Sequence, residues 1–201
     1  MSTDKTVYCY YGIMSPFSYL GMPTLKEICR NHWAELVYKP TDFFEVFKVS
    51  GGVPLHKRPL QRRKYRLVEL KRWAEYRQMP LNVEPKYFPV DMTPASLMVL
   101  AAIKRGHYPG DLSFAYERAT WVEERDISDK NTIIAIANEH NFDGEELFAL
   151  SQTDEISAVY AANTREAIDL DMFGSPSYYY RNELFWGQDR LDFLERALAA
   201  N

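Results

Sequence analysis

The segment Thr6-Val-Tyr-Cys-Tyr-Tyr11 is short and rich in β-branched and aromatic residues, and Gly12 follows it. This composition predicts a buried β-strand. Ser15-Pro16 has the residues typical of a helix start, with Ser as the N-cap and Pro at the first helical position. Glu35-Leu-Val-Tyr38 predicts a second short strand. A strand, a helix and a strand with such short links form a βαβ unit, which we expect to be right-handed.

The C-terminal part of the chain carries the other strand signals. Ser177-Tyr-Tyr-Tyr180 and Leu184-Phe-Trp186 are aromatic runs separated by a tight turn, which predicts a β-hairpin. Gln188-Asp189 is predicted to open a last helix. From residue 43 to residue 150 the signals are helical, and further helix starts are predicted at Thr93, Asp111, Ser128, Asp143 and Thr153. The helix that Thr153 opens is expected to turn Ile156, Val159 and Tyr160 inward.

This order of elements predicts an α/β chain with a thioredoxin fold that is interrupted by a large all-helical insertion. Residues 1–42 and 151–201 would form the thioredoxin-like domain, and residues 43–150 the helical insertion domain. The four strands are expected to share one sheet, on which the helical block lies as a lid or a second domain.

The composition is that of an ordinary soluble chain of 201 residues, with 46% hydrophobic and 26% charged residues. Its formal net charge of −4 gives no global attraction to nucleic acid or to anionic lipid. The segment Lys57–Arg77 holds nine Lys or Arg against two Glu, and we expect it to be a solvated helix at the entrance for an anionic substrate. No apolar run approaches the ~20 residues of a membrane span, and Met1–Thr6 lacks the basic start of a signal peptide. The expectation is a cytoplasmic protein without nucleic-acid or membrane partners.

The two cysteines, Cys9 and Cys29, form neither a C-x-x-C pair nor a metal-ligand pattern with a histidine. Both lie in apolar runs, so we expect buried thiols in a reducing compartment. The histidines are scattered without zinc-ligand spacing, and no metal site is predicted.

Ser15-Pro-Phe-Ser18 lies where a thioredoxin fold places its reactive group, after the first strand and at the N-terminus of the first helix. The helix dipole and the exposed N–H groups stabilise a thiolate there. A serine cannot form a disulfide, but its hydroxyl can donate a hydrogen bond to a thiolate that a ligand brings. The alternative is that Ser15 only caps the helix.

Two C-terminal features point to the same ligand. Ser175-Pro176 lies where the thioredoxin fold keeps a cis proline, which would leave the backbone of Ser175 free to pair with an extended peptide. Gln188 and Asp189 open a helix, where a carboxylate can hold an α-amino group and N–H groups can hold an α-carboxylate, as in a γ-glutamyl end. The alternatives are an ordinary X-Pro bond before a strand, and simple compensation of the helix dipole by Asp189.

Three segments together resemble the signature segments of 2-hydroxychromene-2-carboxylate isomerases. They are Ser15-Pro-Phe-Ser-Tyr-Leu20, Phe173-Gly-Ser-Pro176 and Trp186-Gly-Gln-Asp-Arg190. These isomerases are relatives of the kappa-class glutathione transferases and of the DsbA-type oxidoreductases. The resemblance runs nearly end to end and includes Val68-Glu-Leu-Lys-Arg-Trp73 through Met79-Pro-Leu81.

The resemblance implies glutathione as the cofactor and a homodimer as the assembly. Ser15 would bind the glutathione sulfur as the catalytic serine, and Ser175 would pair with the cysteinyl backbone. The γ-glutamyl end would contact Trp186, Gly187, Gln188 and Asp189, although the family usually has Asn where this chain has Gln188.

The resemblance also implies contacts with a small aromatic carboxylate substrate. Lys48 lies one place from the family's lysine, His56-Lys57 stands where the family has Asn-Arg, and Tyr87 aligns with the family's tyrosine. The reaction implied is the glutathione-dependent interconversion of 2-hydroxychromene-2-carboxylate and trans-o-hydroxybenzylidenepyruvate-type acids through reversible thiolate addition. The alternatives are a kappa-class-like glutathione transferase or peroxidase acting on other electrophiles, and a non-catalytic glutathione or thiol-peptide binding protein.

Overall fold

The computed structural model describes residues 5–200 and contains a four-stranded sheet of order β2-β1-β3-β4. The strands are β1 (Thr6–Tyr11), β2 (Glu35–Pro40), β3 (Ser177–Tyr180) and β4 (Glu183–Trp186). β1 pairs in parallel with β2 and antiparallel with β3, which pairs antiparallel with β4. All four strands therefore lie where the sequence predicts them.

The turn of the hairpin is made by Arg181 and Asn182, which have φ angles of 49° and 64°. Two successive residues with positive φ are what a tight two-residue hairpin turn requires, and Asn tolerates that conformation well. The turn brings Ser177 opposite Trp186 in the register of β3 and β4. The segment before β3 and the segment after β4 consequently meet at one end of the sheet.

Nine helices surround the sheet within residues 5–200. They are α1 (Pro16–Asn31), α2 (Phe43–Ser50), α3 (Leu60–Arg77), α4 (Thr93–Lys104), α5 (Gly110–Trp121), α6 (Lys130–Glu139), α7 (Gly144–Ser151), α8 (Asp154–Asp169) and α9 (Leu191–Ala199), with short 3₁₀ turns at Leu55–Lys57 and Gln188–Arg190. No strand lies between residues 43 and 150, all of which the structure describes, so the insertion is all-helical as predicted. The division at residues 42/43 and 150/151 into two domains stays a prediction.

Four details of the predicted helices are wrong. α5 starts at Gly110, after Pro109, so Asp111 lies in its first turn and does not cap it. α6 is capped by Asp129 and not by Ser128, because the Asp129 carboxylate accepts from the Thr132 N–H at 2.8 Å. Val159 in α8 is 41% exposed and points away from the core, whereas Ile156 and Tyr160 are buried. The segment after β4 begins with the 3₁₀ turn Gln188–Arg190, and α9 starts only after it.

The core lies on both faces of the sheet, because alternate residues of β1 point to opposite sides. Val7, Cys9 and Tyr11 pack in a cluster that extends through α1 and α9 into α4, α5, α6 and α7. Tyr10 packs on the other face with residues of α2 and of α8 and its end. The helical block thus shares its main apolar cluster with the sheet, and this packing fixes α1 between the two.

Residues 1–4 and 201 lie outside the described residues. The start of the predicted thioredoxin-like segment falls there, and so does most of Met1–Thr6, the stretch without the basic start of a signal peptide. Within residues 5–200, none of the helices combines the length and the apolar character needed to span a membrane.

Candidate active site

Ser15 is the N-cap of α1, with extended backbone angles of φ −78° and ψ 122°. Its backbone N–H donates to the carbonyl of Gly12 at 2.8 Å, and its hydroxyl oxygen accepts from the Ser18 N–H at 3.3 Å. A 3.3 Å contact lies at the long end of the range for N–H···O hydrogen bonds. Ser15 therefore caps the helix, but the hydrogen bond that its half-buried hydroxyl accepts is long and weak.

The segment before β3 lies directly against this helix start. The Ser175-Pro176 bond is cis, as predicted. The Ser15 hydroxyl lies 3.4 Å from the Ser175 carbonyl oxygen, to which it can donate. The Ser175 hydroxyl accepts from the Gly12 N–H at 2.9 Å and lies 3.2 Å from the hydroxyl of Ser18, which is buried. Three serine side chains thus join the start of α1 to the start of β3.

The backbone N–H of Ser175 has no hydrogen-bond partner within residues 5–200. Its carbonyl has only the long contact with Ser15. Because an exposed peptide edge can pair with another extended chain, this segment can accept a peptide-like ligand.

Trp186 ends β4 beside this segment and is half exposed. Its ring meets the ring of Phe173 edge to face, with centroids 4.7 Å apart. Gly174 lies so close to the indole that a Cβ at position 174 would overlap its ring nitrogen. Gly187 has a φ of 97°, which favours glycine, and its N–H donates to the Pro176 carbonyl at 2.9 Å. The signature residues 173–176 and 186–187 are thus packed together.

Gln188 and Asp189 differ in their environment. The Gln188 side chain is buried, and its amide oxygen accepts from Arg77 Nε at 3.3 Å and from Arg77 Nη2 at 3.1 Å. This side chain therefore holds α3 against the C-terminal segment, and only its backbone N–H is available to a ligand. Asp189 is exposed, and its carboxylate pairs with Arg190 at 3.2 Å. An exposed pair of this kind contributes little, so the carboxylate can exchange partners readily.

A cleft of about 490 Å³ opens beside Ser15 and Ser175. Its walls come from the start of α1, from α2 and the loop after it, from the first half of α3 and from the segments at Phe88 and Phe173. Seven aromatic side chains line it: Phe17, Phe43, Phe44, Phe47, Phe88, Phe173 and Trp186. A cleft of this size and composition suits a flat aromatic molecule.

Among residues 5–200, the only ionisable side chains that line the cleft are three arginines, Arg58, Arg62 and Arg66. Burial, with a smaller contribution from Arg62, lowers the pKa of Arg58. Burial, with a smaller contribution from Arg58, lowers the pKa of Arg66 to about 10, so Arg66 stays charged at neutral pH. The positive charge of the arginines attracts anions to the cleft.

The predicted substrate contacts Lys48, His56, Lys57 and Tyr87 do not line this cleft. Lys48 is exposed and pairs with Glu45 at 2.5 Å. His56 and Lys57 are exposed on the 3₁₀ turn before α3, and Tyr87 lies beside Lys86, whose ammonium is 4.7 Å from the ring centroid. Their contact with substrate stays a prediction.

The basic segment from Lys57 to Arg77 predicts a helix beside the entrance for an anionic substrate, but its composition does not indicate which cations face the cleft. The signal that would have found them is their spacing of four residues, which places Arg62 and Arg66 on one side of α3.

No thiol of this chain reaches the cleft. Cys9 and Cys29 are both buried. Burial raises the pKa of Cys9, with smaller contributions from Glu117 and Cys29, and burial raises that of Cys29 to about 12. Because thiolates and not thiols are nucleophiles, neither cysteine can supply a reactive sulfur. Over residues 5–200 there is also no group of three His, Cys, Asp or Glu side chains that could hold a metal ion.

Residues 6–199 match the family model of the DSBA-like thioredoxin domain. The chain belongs to this family. The 2-hydroxychromene-2-carboxylate isomerase of Sphingobium xenophagum is 28% identical to this DSBA-like chain over 197 residues, which cover 96% of it and 98% of the relative. Glutathione S-transferase kappa 1 of Homo sapiens is 25% identical over 210 residues, which cover 96% of this chain and 91% of the relative. The resemblance drawn from the three motifs is confirmed.

Solved structures confirm the DSBA-like fold. A 2-hydroxychromene-2-carboxylate isomerase superposes with a TM-score of 0.79 at 23% identity, covering 97% of this chain and 95% of its own. The cytosolic disulfide reductase DsbM from Pseudomonas aeruginosa with GSH superposes with a TM-score of 0.68 at 19% identity, covering 96% and 99%. At the helix start where redox members place C-x-x-C, this DSBA-like chain has Ser15-Pro-Phe-Ser18.

Proposed function

We propose that this chain is a glutathione-dependent isomerase of aromatic acids of the 2-hydroxychromene-2-carboxylate type. The observation that carries the proposal is the position of Ser15. Its hydroxyl lies at the N-terminus of α1, beside Ser175 and at the edge of an aromatic, cationic cleft, in a chain whose own thiols are buried. Relatives named 2-hydroxychromene-2-carboxylate isomerase, which match nearly the full chain, support the same conclusion.

The residues present fit glutathione. The Ser15 hydroxyl makes only long contacts, and the N–H of the neighbouring Ser175 has no hydrogen-bond partner within residues 5–200. Asp189 offers an exposed carboxylate for the γ-glutamyl ammonium, while Gln188 offers its backbone and not its side chain. Trp186 and Gly187 would contact the γ-glutamyl end between these two groups.

Glutathione would supply a thiolate that adds reversibly to the conjugated double bond of the acid. The Ser15 hydroxyl would donate a hydrogen bond to the sulfur, and the N-terminus of α1 would stabilise the negative charge there. Both effects lower the pKa of a thiol, and a free thiol is only a few per cent ionised at neutral pH. The aromatic walls would orient the ring of the substrate and exclude water from the reacting end.

The experiment is an isomerisation assay with 2-hydroxychromene-2-carboxylate, followed by absorbance, with and without glutathione. We expect turnover only when glutathione is present, and no turnover when S-methylglutathione replaces it. Equal rates with and without glutathione would contradict the proposal, because the chain offers no thiol of its own.

A second candidate is a glutathione transferase of the kappa type, favoured by the kappa 1 relative and by the breadth of the aromatic cleft. It would bind glutathione through the same residues but join it permanently to an electrophile. Conjugation of 1-chloro-2,4-dinitrobenzene together with absent isomerisation would favour it. Glutathione binding without either reaction would favour a non-catalytic binding protein.

The proposal includes the setting in which the enzyme works. Cys9 and Cys29 are buried and reduced, which suits the cytoplasm, where glutathione is kept reduced.

We also propose a homodimer, as implied by the family. Sedimentation of the purified chain would test the assembly, and a mass near the 23.5 kDa of one chain would refute it.

A further inference from the structure

Three arginines recur at intervals of four residues along one wall of the cleft. Arg58 ends the 3₁₀ turn before α3, and Arg62 and Arg66 follow within the first turns of that helix. Arg62 is exposed, whereas Arg58 and Arg66 are half-buried. The positive charge therefore continues from the surface into the cleft.

These guanidinium groups lack counter-charges. Within residues 5–200, none of the three forms an ion pair with a carboxylate, and no acidic side chain lines the cleft. Arg58 donates from Nε to the Val53 carbonyl at 2.6 Å, which leaves its terminal nitrogens free. The guanidinium of Arg66 lies over the rings of Phe88 and Trp121, with 5.4 and 5.8 Å to their centroids.

The two other half-buried arginines within residues 5–200, Arg125 and Arg77, have hydrogen-bond partners on side chains. Arg125 forms two hydrogen bonds to the Glu139 carboxylate, and Arg77 is held by Thr24 and Gln188. A half-buried cation without a partner is unfavourable, and the repulsion between Arg58 and Arg66 adds to that cost. An anion that enters the cleft would offset this cost.

We infer that Arg58 and Arg66 bind the carboxylate of the aromatic acid, and that Arg62 attracts it to the mouth of the cleft. The assignment to that acid rests on the proposed function, whereas anion binding by the arginines does not. A planar guanidinium presents paired N–H donors that match a carboxylate, and the contacts with the rings of Phe88 and Trp121 hold Arg66 in place. The acid would thus be recognised by these arginines, and not by Lys48, His56 and Lys57.

Glutathione also carries carboxylates, but its predicted contacts lie on another wall. Ser175 and Trp186 come from the segments around β3 and β4, and Asp189 does not line the cleft. The arginines come from the α3 side, next to Phe88. The two sources of a carboxylate are distinguished by measuring each ligand separately.

The direct test is calorimetric titration of trans-cinnamate into the chain without glutathione, compared with uncharged trans-cinnamamide. We expect cinnamate to bind and cinnamamide to bind at least tenfold more weakly. Arg66→Met and Arg58→Met should each weaken cinnamate binding by roughly 10- to 100-fold, the effect of losing a charge-assisted hydrogen bond. The matched control is Arg63→Met, which removes an exposed arginine of α3 that does not line the cleft. Equal binding of the acid and the amide, or equal losses in Arg63→Met, would overturn the inference.

The kinetic test shows whether the arginines bind the acid or glutathione. It also distinguishes a failure of the inference from a failure of the proposed function. Arg66→Met should raise the KM for the acid while the KM for glutathione changes less than about twofold, and Arg66→Lys should recover only part of the loss. A rise confined to the KM for glutathione would overturn the inference. Arginine-dependent binding of cinnamate without any isomerisation would leave the inference standing and refute the proposed function. Circular dichroism and thermal melting of each variant exclude misfolding, and Arg58→Gln serves as the second variant if Arg66→Met does not fold.

Discussion

Replacing Ser15 by alanine tests whether its hydroxyl acts on the glutathione sulfur or only caps a helix. The change removes two contacts, one from the Ser18 N–H at 3.3 Å and one to the Ser175 carbonyl at 3.4 Å. Loss of an N-cap costs about 1 kcal/mol, and the length of these contacts places the expected loss of stability at or below that value. Such a loss leaves a domain of this size folded.

The effect on a bound thiol is larger. A hydrogen bond to a charged group contributes roughly 1.5–3 kcal/mol, and one pKa unit corresponds to about 1.4 kcal/mol. Ser15→Ala should therefore raise the pKa of the bound glutathione thiol by about one to two units. Below both pKa values, the thiolate fraction and with it the turnover should fall about tenfold for each unit, and raising the pH should restore turnover.

The assay is ultraviolet absorbance of the thiolate, followed against pH with glutathione bound. Thr153→Ala is the matched control, because Thr153 caps α8 through a contact of similar length, 3.4 Å to the Ile156 N–H, far along the chain from the cleft residues. Thr153→Ala also loses a 2.8 Å hydrogen bond from its hydroxyl to the Leu150 carbonyl, so we expect it to lose at least as much stability as Ser15→Ala. Only Ser15→Ala should shift the thiol pKa. An identical titration in the wild type and in Ser15→Ala would show that Ser15 is a cap, and the catalytic assignment would be wrong.

Three further predictions concern the ligand, a buried acid and a glycine. Glutathione at a hundredfold excess over its Kd should stabilise the chain by about 2.7 kcal/mol; Asp189→Ala should largely abolish this thermal shift, whereas Asp192→Ala, which removes another exposed acid, should not. Burial raises the pKa of Glu117 well above its usual value of 4.5, so the folded chain keeps a proton that the unfolded chain releases. Between about pH 4.5 and the raised pKa, urea denaturation should show stability falling by about 1.4 kcal/mol more per pH unit in the wild type than in Glu117→Gln, and parallel pH profiles would contradict this. Gly174→Ala should displace the Trp186 indole, cost about 1–3 kcal/mol and weaken glutathione binding, and unchanged tryptophan fluorescence would refute it.

The sheet could be predicted because its signals are local. β1 is a β-branched and aromatic run, and β3 and β4 are close enough in sequence for the turn at Arg181–Asn182 to pair them. The rule that such crossovers are right-handed then leaves little freedom for the order of the strands. Local rules therefore sufficed for the elements that place Ser15 beside Ser175.

Predicted details of the helices are wrong where two neighbouring residues suit the same position in the helix. Ser128 and Asp129 are both good N-caps, and the carboxylate of Asp129 prevails by reaching the N–H and the hydroxyl of Thr132. Val159 lies three residues after Ile156, a spacing typical of one helix face, yet the buried side of α8 passes through Ile156 and Tyr160, four residues apart. These are differences of one residue that only packing decides.

The arginines on the substrate side of the cleft could not be assigned from the sequence. α3 is strongly basic around most of its surface, and its single fully buried residue, Leu70, fixes which side turns toward the protein. Once Leu70 is in the core, Arg66 lies one turn earlier on the same side and reaches the rings of Phe88 and Trp121, while Arg63 is left in solvent. The partner rings come from the loop before α4 and from the end of α5, so the contact depends on how three separate segments pack. The motif Ser15-Pro-Phe-Ser18 marks the proposed thiol site, because that place is built by the sheet and the first helix. The groups proposed to recognise the acid depend instead on the packing of the insertion, which no local motif describes.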